Sequence, residues 1–273
     1  MDLNTVTTLI RARHRTDLHA LGRGIVPVAG GSELFSEARP HLTGLVDLHS
    51  LGWPALTVTE TGLDIAATCT FAELSRLPAE PGWTAHPLLL QCCDALPGSR
   101  TVRNTATVGG NLATALPAAP MATLIVALNA ELLVWRADGS DERMPALDFV
   151  TGHRSTVLEE GDVLRSIHIR PAQLEVRTAY RRIALSPLGQ AGAVLAGRVD
   201  PDGSFAITVT AATIRPMRLR YRLVPSPNVL HDDIEAITEW FSDPHGTADW
   251  RRAVTGVLAE EIRRELTPAE GTR

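Results

Sequence analysis

The sequence is poor in the features that announce several common functions. It has three cysteines in 273 residues: Cys69, Cys92 and Cys93. The odd count and the adjacent pair exclude a disulfide framework. No C-x-x-C spacing exists, so neither a structural zinc site nor an iron–sulfur cluster has its ligands in this chain. Reduced, mostly buried thiols are expected, as in a cytoplasmic protein. The nine histidines show no H-E-x-x-H or other close metal spacing. There is no G-x-S-x-G to present a hydrolase nucleophile and no G-x-x-x-x-G-K-[ST]. A G-x-G-x-x-G begins at Gly22 and Gly24 but meets Pro27 where its third glycine should stand, which disfavours a Rossmann site. Excess positive charge is also missing. The formal net charge of −5 gives no electrostatic case for nucleic acid. No apolar run approaches the roughly 18 residues of a membrane helix. The first residues, "MDLNTVTTLI", lack the basic region and apolar core of a signal peptide.

What is present suits a globular protein of two domains. Hydrophobic residues make up 44% and charged residues 21%, an ordinary folded composition. Apolar spacing at Val6, Leu9 and Ile10 predicts a helix from about Thr5 to Arg13. "IVPVAG" reads as a short buried strand, and "LTVTETGLDIAA" as two strands about a glycine turn. Thr70 and Glu73 have capping-box spacing, so a helix should start at Phe71. "PLLLQCCDAL" is a second helix, ended by Pro97 and Gly98, and packs its two thiols. A strand is expected to lead into Gly109–Gly110, and Pro117 and Pro120 to open a further helix. "ELLVWRADG" is a strand with an Asp-Gly turn. Beyond a boundary near Pro171 lie three β-leaning runs, "TAYRRIALS", "AGAVLAGRV" and "FAITVTAATI", with "DPDG" turning between the last two. Tail helices follow, bearing Trp240 and Trp250. One face of the last is marked by Trp250, Val254, Val257, Leu258, Ile262 and Leu266, with Glu260 four residues before Arg264.

Two stretches stand out: "VPVAGGSELF" and "TATVGGNLAT". Each places adjacent glycines in a turn followed by a polar residue. Backbone without Cβ atoms can approach a bound group closely, and successive N–H groups in a tight turn form an anion-binding concavity. Two such turns could hold the two phosphates of a dinucleotide from opposite sides.

On these residues the chain resembles the FAD-binding, medium subunits of the molybdenum hydroxylases. This family includes the flavoprotein subunit of carbon monoxide dehydrogenase and the flavin domain of xanthine dehydrogenase. "VPVAGGSEL" resembles its first flavin loop and "TVRNTATVGGNLATALPAAP" its second. "FVTGHRSTVLEEGDVLRSIHI" is similar to a third segment that passes over the flavin. "AYRRIALSPLGQAGAVLAGRVDPDG" and "DPHGTADWRRAVTGVLAEEIRREL" look like its small C-terminal domain. The resemblance implies an α+β fold: a two-subdomain FAD-binding domain of the vanillyl-alcohol-oxidase (PCMH) type over residues 1–171, with subdomains of about 1–52 and 53–171. A C-terminal domain over residues 172–273, with a three-stranded antiparallel sheet and helices, should follow.

The resemblance also implies the site. Ala29, Gly30, Gly31 and Ser32 would wrap the pyrophosphate, and Glu33 and Leu34 would continue towards the flavin. Thr107, Val108, Gly109, Gly110 and Asn111 form the second loop, with Thr114 near the isoalloxazine. Asp162, Val163 and Leu164 match a stretch along the cofactor. Arg182, or alternatively Arg181, matches a basic residue near the ring. Two departures are visible: Pro120 stands where the family commonly has aspartate, and arginine where it often has lysine. The implied activity is that of an FAD-dependent oxidoreductase subunit. It would take electrons from [2Fe–2S] clusters on a small partner subunit, supplied by a molybdenum cofactor on a large one, and pass them to NAD, a quinone or oxygen. A free-standing flavin oxidoreductase acting on its own small substrate is the alternative.

Overall fold

The structure, a computed structural model, describes residues 3–268. Its first element is a strand, β1 (Thr8–Arg11). The helix expected over residues 5–13 does not form. Three of the four residues in the run Thr7-Thr8-Leu9-Ile10 are β-branched, and such residues favour a pleated surface. The strand pairs in parallel with β3 (Gly44–Asp47), which also pairs in parallel with β2 (Ile25–Val28), giving the order β1-β3-β2. Pro27 is tolerated because β2 lies at the sheet edge. That edge position also leaves β2 half-buried rather than buried.

The hairpin read from "LTVTETGLDIAA" is present as β4 (Leu56–Thr59) and β5 (Gly62–Ala66). Helix α1 (Phe71–Leu74) starts at its capping box. Thr70 Oγ1 accepts the Glu73 N–H at 3.1 Å, and Glu73 Oε2 accepts the Thr70 N–H at 2.8 Å. Then come α2 (His86–Asp94), α3 (Arg100–Thr105), α4 (Val108–Thr114) and α5 (Pro120–Ala127). The strand expected before Gly109 is thus a helix. Ser99 Oγ caps α3 at the Val102 N–H, and this cap and the surrounding packing override the β-branched residues of "TVRNTATV". Pro120 opens α5 at its first position, and all eight residues of that helix are buried.

Strands β6 (Glu131–Trp135) and β7 (Asp141–Pro145), the small β8–β9 hairpin (Val150–Gly152, Ser155–Thr156) and β10 (Val163–Ile169) follow. An antiparallel sheet results, in the order β4-β5-β10-β6-β7. The main core lies between it and α1, α2, α4 and α5. Cys69, Cys92 and Cys93 sit in this core as free thiols, and burial pushes Cys69 and Cys93 up to about 12.

The two sheets are docked by aromatic and charged contacts. Trp53 meets Trp135 edge-on at 5.3 Å, and the Arg165 guanidinium lies 4.2 Å from the Trp53 ring. Arg15 pairs with Asp141 at 2.6 Å. Asp162 fixes the turn leading into β10. It accepts from Arg136 at 2.5 Å and from the N–H groups of Ala137 and Glu159. Burial alone would raise its carboxyl, but these three donors hold it below the ordinary carboxylate value.

After α6 (Pro171–Leu174), strands β11 (Arg177–Ala184), β12 (Ala191–Val199), β13 (Phe205–Thr210) and β14 (Met217–Tyr221) form an antiparallel sheet. It has four strands, not three. The last was concealed by the arginines of "MRLRY", although their alternation with Met217, Leu219 and Tyr221 has the period of a strand. Helices α7 (Pro227–Glu235) and α8 (Ala248–Leu266) cover one side. Val257 points to solvent, while Arg251 and Thr255 are buried in its place. Trp240 is not helical; it lies in a bridge to Thr213. Glu260 does pair with Arg264, at 2.7 Å.

No helix among the described residues is long and apolar enough to cross a membrane. The main core runs past Pro171 to Val176 and Ala196. Arg198, almost fully buried, ties the two parts together. It donates to the Ala127 carbonyl at the end of α5 (3.1 Å), to Gln173 Oε1 (2.6 Å) and to Asp200. A cation at a helix C-terminus satisfies a carbonyl left without an intrahelical partner. Arg198→Met strands these acceptors. The expected cost is about 3 kcal/mol, by analogy with one-sided removal of buried pairs, read as a fall in the denaturant midpoint at unchanged m-value; an unchanged midpoint would contradict the weld.

The Asp162 network gives a pH prediction. Its stabilisation is complete above the unfolded value near 3.8 and disappears as pH falls through the lower folded value. Asp162→Asn should therefore be less stable at neutral pH and show a shallower loss of stability on acidification than the parent. Parallel curves in chemical denaturation at stepped pH would refute this.

Candidate functional site

The first glycine turn leaves β2 at its carboxyl end, and the second is the opening turn of α4. They converge. Gly30 lies against the junction of α3 and α4 so closely that a Cβ there would overlap the Thr105 carbonyl. Gly31 has φ +67, and its Cβ would stand 2.6 Å from the Phe35 ring. Both positions need glycine, the first for close approach and the second also for its backbone angle.

At the second turn the glycines work differently. A Cβ on Gly109 would overlap Ala67. The Val108 N–H donates to the Cys69 carbonyl, and that of Gly109 to the Ala67 carbonyl, both at 2.8 Å. Thr107 Oγ1 accepts from Gly110 at 3.1 Å, and the Thr107 carbonyl accepts from Asn111 at 2.9 Å. The first four donors of α4 are therefore occupied within the protein. The N–H groups of the first turn are not. From Gly30 to Leu34, five in succession have no acceptor among the described residues. Unbonded N–H groups in a tight turn are what an anion site needs, and of the two turns only the first has them.

Between the turns lies an open cleft of about 600 Å³. Its lining is polar at Ser32, Glu33, Arg39, Thr107, Asn111 and Arg154 and includes the backbone of Ala29 to Leu34. The rest of the lining is largely apolar, with Leu96, Pro97, Val102, Ala106, Ala113 and Leu116. Gly110 and Thr114 also line it, the Thr114 hydroxyl donating to the Gly110 carbonyl at 2.8 Å. Asn111 Oδ1 accepts the Met121 N–H at 3.1 Å, tying the cleft to the first turn of α5. Arg154 spans the opening to Glu33 at 2.9 Å. Its backbone and that of Ala115 are left-handed (φ 55 and 49), and the Arg154 N–H donates to the Ala115 carbonyl. Two non-glycine residues in this sparsely allowed region beside one cleft mark a site where local strain is tolerated.

Of the residues singled out from sequence, Ala29, Gly30, Gly31, Ser32, Glu33, Leu34, Thr107, Gly110, Asn111 and Thr114 share this cleft. The others stand outside its wall. Val108 and Gly109 are buried against the strand exit, and Leu164 is buried in β10, paired with Val134. Asp162 is occupied by Arg136 and two backbone donors. Arg182 holds the Gly189 carbonyl of the β11–β12 loop, and Arg181 pairs with Glu261 and Glu265 of α8. His153, in the segment similar to the third flavin stretch, packs on Phe241 at 5.0 Å. Sequence reasoning missed Arg39, Arg154 and the apolar lining. Arg154 lies in the quoted "TGHR", but nothing in its spacing distinguishes it from a surface arginine.

An FAD-sized group fits this construction. A diphosphate matches the unbonded N–H groups, and a fused aromatic ring matches the apolar lining.

Comparison with known proteins agrees. Residues 5–172 match the family described as the FAD binding domain in molybdopterin dehydrogenase. The putative xanthine dehydrogenase FAD-binding subunit of Escherichia coli (strain K12) is 29% identical over 154 residues, 54% of this chain and 51% of that protein. Xanthine dehydrogenase 1 of Arabidopsis thaliana is 28% identical over 141 residues, 47% of this chain but only 10% of the relative. The chain thus spans from a tenth to about half of these two relatives. A solved structure of CO dehydrogenase from Oligotropha carboxidovorans superposes with a TM-score of 0.81 at 24% identity, covering 97% of this chain and 99% of the other. Quinoline 2-oxidoreductase from Pseudomonas putida 86 gives 0.80 at 21%, covering 97% and 98%. At these identities the likeness is one of fold. Because the family match takes in most of the chain, including both glycine turns and the strand between Val163 and Ile169, the protein belongs to the FAD-binding family of the molybdenum hydroxylases.

Proposed function

We propose that this chain is the flavin-carrying subunit of a molybdenum hydroxylase and that the cleft between its glycine turns holds FAD. The observation that carries the proposal is the run from Gly30 to Leu34, which lines the cleft and whose five N–H groups have no acceptor among the described residues. A diphosphate against this run would receive several charge-assisted hydrogen bonds, about twice as strong as neutral ones. Thr107, Gly110, Asn111 and Thr114 would border the cofactor from the second turn. The apolar lining from Leu96 to Leu116 would shield the ring from water.

When bound, FAD supplies two-electron and one-electron redox chemistry; the protein supplies binding, orientation and electrostatics. Electrons would arrive from [2Fe–2S] clusters of a small subunit, fed by a molybdenum cofactor on a large one. They would leave to an outside acceptor such as NAD, a quinone or oxygen, in the cytoplasm. The relatives' names and the fold shared with CO dehydrogenase and quinoline 2-oxidoreductase support this reading. The same resemblance supports a division near Pro171 between the FAD-binding part and a C-terminal domain.

The test begins with the purified full chain. It should bind one FAD per chain and be yellow, and it should co-purify with an iron- and molybdenum-containing partner pair when co-expressed with its neighbouring genes. Gly31→Ala should weaken FAD about tenfold, because a Cβ in a left-handed residue costs roughly 1–3 kcal/mol unless the loop and its donors shift. A chain that folds but binds no flavin in titration calorimetry would overturn the proposal.

A further inference from the structure

Three charged side chains line the cleft: Glu33, Arg39 and Arg154. Glu33 and Arg154 pair with each other at 2.9 Å, so their charges offset. The Arg39 guanidinium has no such partner. Among the described residues it makes no ion pair and no hydrogen bond, and its Nε is shut off from solvent. A buried donor without an acceptor costs free energy, roughly 1–3 kcal/mol, and calls for an explanation. The two Nη groups are not shut off in this way and have no protein acceptor among the described residues, so they are what the guanidinium offers to an anion. Arg39 lines the same cleft as Gly30 to Leu34, whose N–H groups have no acceptor among the described residues, so a full positive charge and several partial ones belong to one cleft.

We infer that Arg39 is the cation that binds the diphosphate of the dinucleotide. This rests on the proposed function above and names a residue that the two glycine turns do not contain. A diphosphate carries two negative charges. Backbone N–H groups can hydrogen-bond it but bring no formal charge, whereas a guanidinium brings charge and a planar fork matched to phosphate oxygens. The sequence contains no lysine: all 26 basic residues are arginine, so any side-chain cation for this role must be arginine, apart from histidine. Arg154 is held by Glu33, which leaves Arg39 the unpaired one in the cleft among the described residues. Arg39 would favour ligands with a phosphate at that position over those without one.

The experiment uses the full chain stripped of flavin. FAD, and riboflavin as the phosphate-free ligand, are titrated by flavin fluorescence against the parent, Arg39→Gln and Arg39→Lys. FAD should bind about 10- to 100-fold more weakly to the Gln variant, the range for losing hydrogen bonds to a charged group. The Lys variant should lose less, since it keeps the charge but not the fork. Riboflavin binding should be unchanged. Equal FAD affinity in the parent and the Gln variant, or an equal loss for riboflavin, would overturn the inference. A second arm needs no variant. Phenylglyoxal labelling of the parent, mapped by peptide mass, should show Arg39 protected by saturating FAD; undiminished labelling of Arg39 would overturn the inference even if the Gln variant fails to fold. A parent chain that binds no FAD would overturn the proposed function as well, whereas an unprotected Arg39 in a chain that binds FAD overturns this inference alone.

Discussion

The site depends on one close contact, the seating of Gly30 against the Thr105 carbonyl. It brings the end of an edge strand of the parallel sheet onto the junction of two helices that belong to the other sheet's core. Any side chain at residue 30 would push them apart. With the contact made, the chain turns back on itself through Gly31 and leaves five N–H groups without an acceptor among the described residues, on a segment that lines the cleft. The glycines do not act by touching a ligand alone. They let the protein touch itself, and the run of unbonded donors is the by-product of that packing.

This gives the two turns unequal parts. The donors at the start of α4 are all committed, to the carbonyls of Cys69 and Ala67 and to Thr107. That segment is a brace: it fixes the opening of α4 on the exit of β5 and supplies the surface against which Gly30 is seated. Asn111 extends the brace to α5 through the Met121 N–H, and α5 is in turn held to the C-terminal sheet by Arg198 and by the buried Thr123–Thr210 hydroxyl pair at 2.6 Å. The rigidity of the cleft is therefore shared with parts of the chain that never reach it, as a preorganised binding site requires.

Much of this was legible in the sequence because local chemistry and final structure agree. The capping box at Thr70 and Glu73, the hairpin about Gly62, the proline opening α5 and the two glycine turns all appear where their residue types place them. The failures have physical causes. The Thr- and Val-rich segment before Gly109 looks like a strand, but the Ser99 cap and packing against α1 make it helical. The segment around Thr8 has helical spacing, yet β3 offers it a parallel edge. The strand at Met217 was disguised by arginines that lie across one face of a sheet. The different bonding of the two turns is not legible in the sequence, because glycine needed for close packing and glycine needed for a ligand look the same there. Arg39 and Arg154 come to the cleft through the tertiary fold, which no spacing rule encodes.

The central claim is that a single run of backbone donors, not a pair of opposed turns, grips the anionic part of the cofactor. Amide hydrogen exchange of the full chain with and without FAD tests this directly. The account predicts strong added protection at Gly30 to Leu34 and little change at Val108 to Asn111, whose N–H groups are already bonded. Protection that appears at Val108 to Asn111 and leaves Gly30 to Leu34 exchanging as before would contradict it.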